Sequence, residues 1–226
     1  MTRPVYAVFV AGGSGTRMGG DVPKQFLELG GVPVLQRSIE RFLDAEPQAH
    51  VVTVLPSQHI ATWQELCVRY AASFPQTVVA GGMTRFHSVL AALAKVPDGA
   101  IVAVHDGVRP LVSPALVRRM LDEISAPGGP QALIPVLPVT DTLRSVDPSA
   151  PAPDRSKLVA VQTPQMFLSE VLKQAYRQPY STSFTDDASV AEKSGVAIAT
   201  TPGEKFNIKI TTPEDLQLAR LLLARP

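Results

Sequence analysis

The chain of 226 residues holds a single cysteine, Cys67, and that scarcity excludes a disulfide framework and any zinc site built on cysteines. Long hydrophobic runs are also missing. No stretch approaches the roughly 20 apolar residues needed to span a bilayer, and residues 1–4 (MTRP) lead into a strand-like run without the profile of a secretory signal. Charge of one sign is lacking as well: 21 Lys+Arg balance 20 Asp+Glu, for a formal net charge of +1. Such a balance creates no global field toward nucleic acid or an anionic membrane, so a polyanionic ligand must be met by a local cluster of cations. These absences predict a cytoplasmic protein with no nucleic-acid and no membrane partner. The hydrophobic share of 45% is ample for a core, and the length favours one α/β domain over residues 1–226.

Residues 5–11 (VYAVFVA) are almost continuously apolar and stop at Gly12-Gly13-Ser14-Gly15, which reads as a strand buried on both faces of a parallel sheet. Leu35, Ile39, Phe42 and Leu43 then fall on one face of a helix, and residues 51–55 form a second strand. A weaker helix carries Ile60, Trp63, Leu66 and Tyr70, and strand 77–80 again ends at glycines, Gly81-Gly82. The alternation continues with a helix at 88–94, a strand at 100–104 running into His105-Asp106, and a helix started by Ser113-Pro114. Residues 132–139 are strand-like, but Pro135 and Pro138 place them at a sheet edge or bulge. Residues 140–157 are polar and proline-rich, too long for an ordinary connection, and predict a flap or an arm that docks elsewhere. Core-like sequence resumes at 158–161. Helices near 169–178 and 187–193, strands near 196–200 and 206–210, and a last helix capped by Thr212-Pro213 complete a single doubly wound, mostly parallel, Rossmann-like α/β sheet.

Four segments at strand ends carry candidate chemistry. The first is Ala11-Gly-Gly-Ser-Gly-Thr-Arg-Met, in which Met18 stands at the third glycine position of a dinucleotide fingerprint and no Walker lysine follows. A loop that brings backbone N–H groups near phosphates, with Arg17 inside it and Lys24 seven residues later, suits a triphosphate. The second is Gly81-Gly-Met-Thr-Arg-Phe-His-Ser88, where backbone donors and the Ser88 hydroxyl read a base or phosphate, or simply form a turn with a serine cap. The third is Val104-His-Asp-Gly-Val-Arg-Pro110, in which Asp106 at a strand end suits Mg²⁺ or an Asp turn. His105 has no second histidine at ligand spacing. The fourth is Phe206-Asn-Ile-Lys-Ile-Thr-Thr-Pro213, whose Lys209 interrupts an apolar strand. No Ser/His/Asp or Cys/His set stands out.

Together these segments, with Pro23-Lys-Gln-Phe, Gln162-Thr-Pro-Gln and Thr185-Asp-Asp-Ala-Ser, resemble the 2-C-methyl-D-erythritol 4-phosphate cytidylyltransferases of non-mevalonate isoprenoid biosynthesis. The resemblance implies a nucleotidyltransferase that joins CTP to a polyol phosphate with a divalent cation, Mg²⁺. It implies that Arg17 and Lys24 stabilise the transition state at the CTP α-phosphate. It matches Ala11, Gly12, Gly13, Gly15, Gly81, Gly82 and Ser88 to the CTP pocket, and Asp106 to the site of the metal and nucleotide. Arg109, Thr185 and Lys209 match positions lining the second substrate, with Lys209 and Arg155 holding the attacking phosphate. In the resembled family residues 140–157 would be a dimerisation arm exchanged across a homodimer, carrying Thr142 and Arg155 into the neighbour's site.

The chain departs from that pattern at Gly107-Val108, where the family commonly has two alanines, and along residues 143–154. A D-ribitol 5-phosphate cytidylyltransferase of the same fold is the alternative, because its glycine loop and Asn-Ile-Lys-Ile-Thr end look similar. A dinucleotide-binding dehydrogenase and a non-catalytic nucleotide sensor are rivals from other classes, disfavoured by Met18.

Overall fold

The computed structural model describes residues 3–13 and 22–224. β1 (Val5–Val10) lies inside the sheet with a strand on either side, and its side chains divide between two cores: Ala7 and Phe9 pack to one side and Val8 to the other. The apolar run is continuous because both faces are covered. A small hairpin of β2 (Glu28–Leu29) and β3 (Val32–Pro33) follows, then α1 (Val34–Leu43), β4 (His50–Leu55), α2 (Ile60–Arg69) and β5 (Gln76–Ala80). Next come α3 (Arg85–Leu93), β6 (Ile101–Asp106), α4 (Pro114–Ser125) and β7 (Ala132–Pro138). The chain ends with β8 (Val159–Val161), β9 (Gln165–Leu168), α5 (Ser169–Ala175), α6 (Asp187–Lys193), β10 (Ala199–Pro202) and α7 (Pro213–Leu223).

The main sheet runs β10-β7-β9-β6-β1-β4-β5, with β8 beside β7. β1 pairs in parallel with both β4 and β6, β4 with β5, and β7 with β10, while β8 and β9 run against their neighbours. Residues of α1, α2 and α4 fill one face and residues of α3, α5 and α6 the other, so the doubly wound, mostly parallel reading holds. A third cluster of Leu29, Val34, Val108, Ile210, Leu216 and Ala219 fastens the hairpin and α7 to the loop after β6.

Several expectations are corrected. β7 is not an edge strand, because β10 borders it on one side and β9 and β8 share the other. β9 pairs with Ala132 and Leu133, and β8 with Val136 to Pro138, so Pro135 falls at the changeover between the two partners, where its missing N–H breaks no ladder. Residues 158–161 are not core: Leu158, Val159 and Val161 are 39%, 51% and 40% exposed. Residues 206–210 form no strand, since the carbonyl of Asn207 is taken by the side chains of Arg109 and Gln162 rather than by a neighbouring strand. Between β7 and β8 the chain leaves the sheet, and residues 141–152 are exposed except for the half-buried Leu143.

Trp63 is fully buried on α2, stacks on Phe26 at 6.2 Å, and donates Nε1–H to Gln76 Oε1 at 3.1 Å. Trp63→Ala removes that packing and one of two donors to the amide oxygen, which keeps its bond from Thr53 Oγ1 at 2.7 Å, and is expected to cost about 3–5 kcal/mol in urea denaturation followed by circular dichroism. A loss below about 1 kcal/mol would show that the site collapses around the truncated side chain.

Candidate active site

β1 and β6 are in register from Val5↔Ile101 to Val10↔Asp106, so their carboxyl ends deliver Ala11-Gly12-Gly13 and Asp106 side by side. β4 lies on the other side of β1, which makes this the point where strand order reverses and ligands bind in such sheets. A cleft of about 300 Å³ opens there. Ala11 is tied down through its own backbone: its N–H donates to Val54 O at 3.0 Å and its carbonyl accepts from Gln25 Nε2 at 3.0 Å. Gln25 and Lys24 belong to a 3-10 turn at Lys24–Phe26 and are 1% and 8% exposed. A Cβ placed on Gly13 would lie 3.8 Å from Lys24 Cε, and one on Gly12 would lie 4.0 Å from Ser88 Oγ. The glycine turn therefore spans from the Lys24 stem to α3.

The β5–α3 connection approaches α3 so closely that a Cβ on Gly81 would sit 2.9 Å from Ser88 Oγ. Ser88 is not the helix cap considered from sequence. Thr84 caps α3, and Ser88 lies a turn inside, donating to Thr84 O at 2.9 Å and accepting from Gly82 N–H at 3.2 Å. Gly82 and Ser88 line the cleft, and so does Met83, 95% exposed at its rim.

Asp106 is the carboxylate of the cleft wall. Its Oδ2 accepts from Arg109 Nε at 3.0 Å and lies 3.2 Å from Lys209 Nζ. Burial alone would raise its pKa, but Lys209, Arg109 and Arg85 outweigh burial and hold it well below the usual carboxylate range. Both contacts, from Arg109 and from Lys209, fall on Oδ2. Behind it, Asp106 N–H donates to Thr163 Oγ1 at 3.0 Å, and Thr163 Oγ1 and His105 Nδ1 lie 3.0 Å apart. His105 Nε2 is 3.3 Å from Arg109 O, a pure acceptor, so Nε2 carries the proton and Nδ1 accepts from Thr163. His105 is fully buried, and burial pushes its pKa down to about 4, leaving a neutral structural link rather than a metal ligand. Among the described residues no group of three or more His, Cys, Asp or Glu is placed to hold a metal ion.

Gly107 sits in a close approach: a Cβ there would lie 2.7 Å from Leu35 Cδ1 and 3.1 Å from Ala11 Cβ, so a side chain at this position requires both neighbours to shift. Its backbone is in use instead, with N–H donating to Val10 O and carbonyl accepting from Ser38 Oγ. The departure to glycine at this position matches a close approach of the loop to α1 and the end of β1.

Ala11, Gly12, Gly13, Lys24, Gly82, Ser88, Asp106 and Lys209 thus converge on one cleft, while Gly81 backs it against Ser88. Arg17 and Gly15 lie outside the described residues. Arg109 is 9% exposed and sits behind Asp106, with Nη1 donating to Asn207 O at 2.7 Å. Thr185 is exposed just before α6 and outside the cleft lining, its N–H donating to Ser189 Oγ at 3.1 Å. Thr142 and Arg155 are exposed in the segment between β7 and β8, where Arg155 Nη1 donates to Thr140 O at 2.6 Å. They do not line this cleft within one chain. Arg85, which lines it, was not singled out from sequence, because its partner Asp187 is 102 residues away.

Lys24, Arg85 and Lys209 face the cleft against one carboxylate among the described residues, which suits a polyphosphate. A cleft of this charge, at the switch point of a mostly parallel sheet and without the dinucleotide fingerprint, is that of an α/β protein of the nucleotidyltransferase class. The family model described as 2-C-methyl-D-erythritol 4-phosphate cytidylyltransferase matches residues 5–225, and the chain belongs to that family. A protein of that name from Porphyromonas gingivalis (strain W83) is 52% identical over 226 residues, 99% of each chain. Another from Rhodococcus jostii (strain RHA1) is 41% identical over 97% of this chain and 95% of its own. The solved structure of the cytidylyltransferase of Thermus thermophilus superimposes with a TM-score of 0.73 at 32% identity, covering 97% of this chain and 98% of that one. The 4-diphosphocytidyl-2C-methyl-D-erythritol synthase of Anaerococcus prevotii gives 0.80 at 26%, covering 99% and 97%.

The buried imidazole has a pH signature. Its pKa is depressed from 6.5 to about 4, so its contribution to stability is complete above about pH 6.5 and is lost as pH falls toward 4. His105→Gln is expected to flatten the fall of the denaturation midpoint between pH 6.5 and 4; an unchanged slope would contradict a buried neutral ring.

Proposed function

We propose that this chain transfers the cytidylyl group of CTP to 2-C-methyl-D-erythritol 4-phosphate, releasing pyrophosphate and 4-diphosphocytidyl-2-C-methyl-D-erythritol. The observation that carries the reading is the cationic cleft at the ends of β1 and β6 in a chain of this family. A phosphate oxygen of the acceptor attacks the α-phosphorus in line, and the bond to the β-phosphate oxygen breaks with its electron pair on pyrophosphate. A phosphate monoester dianion is nucleophilic near neutral pH, so no covalent enzyme intermediate and no general base is required. The chain's work is positioning and charge.

In this reading Lys24, buried beside the glycine turn, and Arg17 meet charge that develops at the α-phosphate. Gly81, Gly82 and Ser88 shape the nucleoside wall. Lys209, 43% exposed and ion-paired to Asp106, is able to turn toward the attacking phosphate. Arg109 acts from behind by fixing Asp106. Thr185 lies at the acceptor end. Mg²⁺ fits Asp106 as a site with one protein carboxylate, Oδ1 being outside the ion pair and the remaining ligands coming from phosphates and water. When bound, Mg²⁺ would neutralise phosphate charge.

The same reading includes a homodimer with exchanged arms, in which Thr142 and Arg155 complete the neighbour's site. It is supported by exposed Val146, Leu158, Val159 and Val161, which form no core in one chain, and by an apolar hollow between residues 136–139, 155–159 and 200–203. Among the described residues no helix is long and apolar enough to cross a membrane, and the reading places the enzyme in the cytoplasm.

Two experiments test it. With CTP and Mg²⁺, pyrophosphate release from purified enzyme is expected to be faster with 2-C-methyl-D-erythritol 4-phosphate than with D-ribitol 5-phosphate; the reverse order would reassign the acceptor. Lys24→Ala and Arg155→Ala homodimers are each expected to lose about 100-fold or more in kcat. Co-expression of the two variants should restore about a quarter of wild-type activity, since half the dimers are mixed and each has one intact site of two. No recovery would mean that each site is built from one chain.

A further inference from the structure

The first turn of α3 works in two directions. Toward the nucleotide wall, Gly82 N–H donates to Ser88 Oγ and Ser88 donates to Thr84 O. Toward the other side, the same turn grips the connection from α5 to α6. Arg85 Nη2 lies 2.6 Å from Asp187 Oδ2, and Tyr176 Oη donates to Asp187 Oδ1 at 2.6 Å. Gln165 Oε1 accepts from the N–H groups of Asp187 and Ala188 at 3.1 and 3.0 Å. Phe86, next in sequence, stacks on Tyr176 at 4.6 Å and on Phe184 at 5.8 Å. Both ends of the connection are thereby fastened to α3.

Asp187 has a fully buried side chain, and Arg85 is its one cation among the described residues. A carboxylate with no exposure cannot keep its charge without such a partner, so the start of α6 moves only if Arg85 moves with it. Thr185 is two residues before Asp187. The guanidinium meanwhile lines the cleft, keeps 28% side-chain exposure, and adds to the field that holds Asp106 ionised. Burial and Asp187 push the Tyr176 phenol up, which keeps it a donor to the carboxylate.

We propose that Arg85 and Asp187 form a strut that fixes the Thr185 loop against the nucleotide wall, making both of them positioning residues for the acceptor phosphate. The proposal rests on the reading of Thr185 as part of the acceptor pocket. Loosening the strut leaves the Gly82–Ser88–Thr84 bonds intact, so the acceptor side suffers and the nucleotide side does not. The contact uses Nη2 alone, so a lysine preserves the charge pairing without needing a planar fork.

The variants are Asp187→Asn, which keeps the shape and the Tyr176 bond, Arg85→Lys, and Arg85→Gln. Asp187→Asn and Arg85→Gln are each expected to raise the acceptor KM by about 10-fold, and in Asp187→Asn, which keeps every cation of the cleft, the Kd for CTP, read by calorimetry, stays within about 2-fold. Arg85→Lys should recover most of the acceptor KM. The double variant Arg85→Gln/Asp187→Asn should be no worse than either single one, because the pair acts as a unit. CTP binding weakened in Asp187→Asn as much as the acceptor KM would overturn the proposal, and additive losses in the acceptor KM would overturn the strut. Hydrogen exchange of amides 183–189 in the unliganded protein decides the strut without activity: faster exchange in Asp187→Asn supports it and unchanged exchange overturns it. A wild-type enzyme that fails to use the acceptor would overturn the functional reading, while that exchange result would still decide the strut.

Discussion

The buried carboxylate of Asp106 organises the cleft of this molecule. Asp106 ends the central strand β6 with little exposure, and a carboxylate in that position stays ionised only if cations and donors are brought to it. Arg109 and Lys209 provide the charge, and Thr163 accepts from its backbone N–H. Meeting this demand draws three distant segments together: the loop after β6, the corner between β8 and β9, and the extended stretch before α7. Arg109 then holds Asn207, and Asn207 Nδ2 donates to Thr163 O, so the wall closes on itself.

The charge balance of the whole chain hides this arrangement. A formal +1 spread over 226 residues exerts little pull on a polyanion, but Lys24, Arg85 and Lys209 share one cleft with one carboxylate among the described residues. Confined by low-dielectric walls, these charges act on a bound phosphate more strongly than the same groups on an open surface would. Asp187 plays the matching part behind Arg85, where it orients a guanidinium without facing the ligand. Neutrality overall and cationic focus locally are thus compatible, because Arg85 and Lys209 are each set by an anion brought to them by the fold.

Much of the fold was legible in the chain. The apolar run of β1, the stripe of α1, the Ser113-Pro114 start of α4 and the Thr212 cap of α7 are local signals, and the structure contains each of them. Local signals mislead where distant partners decide. Pro135 looked incompatible with an interior strand, because nothing local reveals that two antiparallel neighbours meet at that residue. Leu158 to Val161 looked like core because hydrophobicity alone does not state whether other residues of the fold cover it. Phe206 to Ile210 looked like a strand, yet the Asn207 carbonyl is taken by side chains, and the N–H groups of Asn207 and Ile210 go to the carbonyls of Glu204 and Val108 in loops rather than to a strand.

The sequence by itself determined the class of protein, the strand-end segments and most of the residues of the cleft, since glycine turns, caps and apolar periodicity depend on neighbours a few residues away. Tertiary structure alone decided that Arg109 stands behind Asp106 and that His105 is a neutral link. It also decided that Arg85 belongs to the cleft and that Ser88 braces Gly82. The reason is physical: an ionisable group takes its state from burial and from partners that folding brings in from far along the chain, 98 residues for Arg109 with Asn207 and 102 for Arg85 with Asp187.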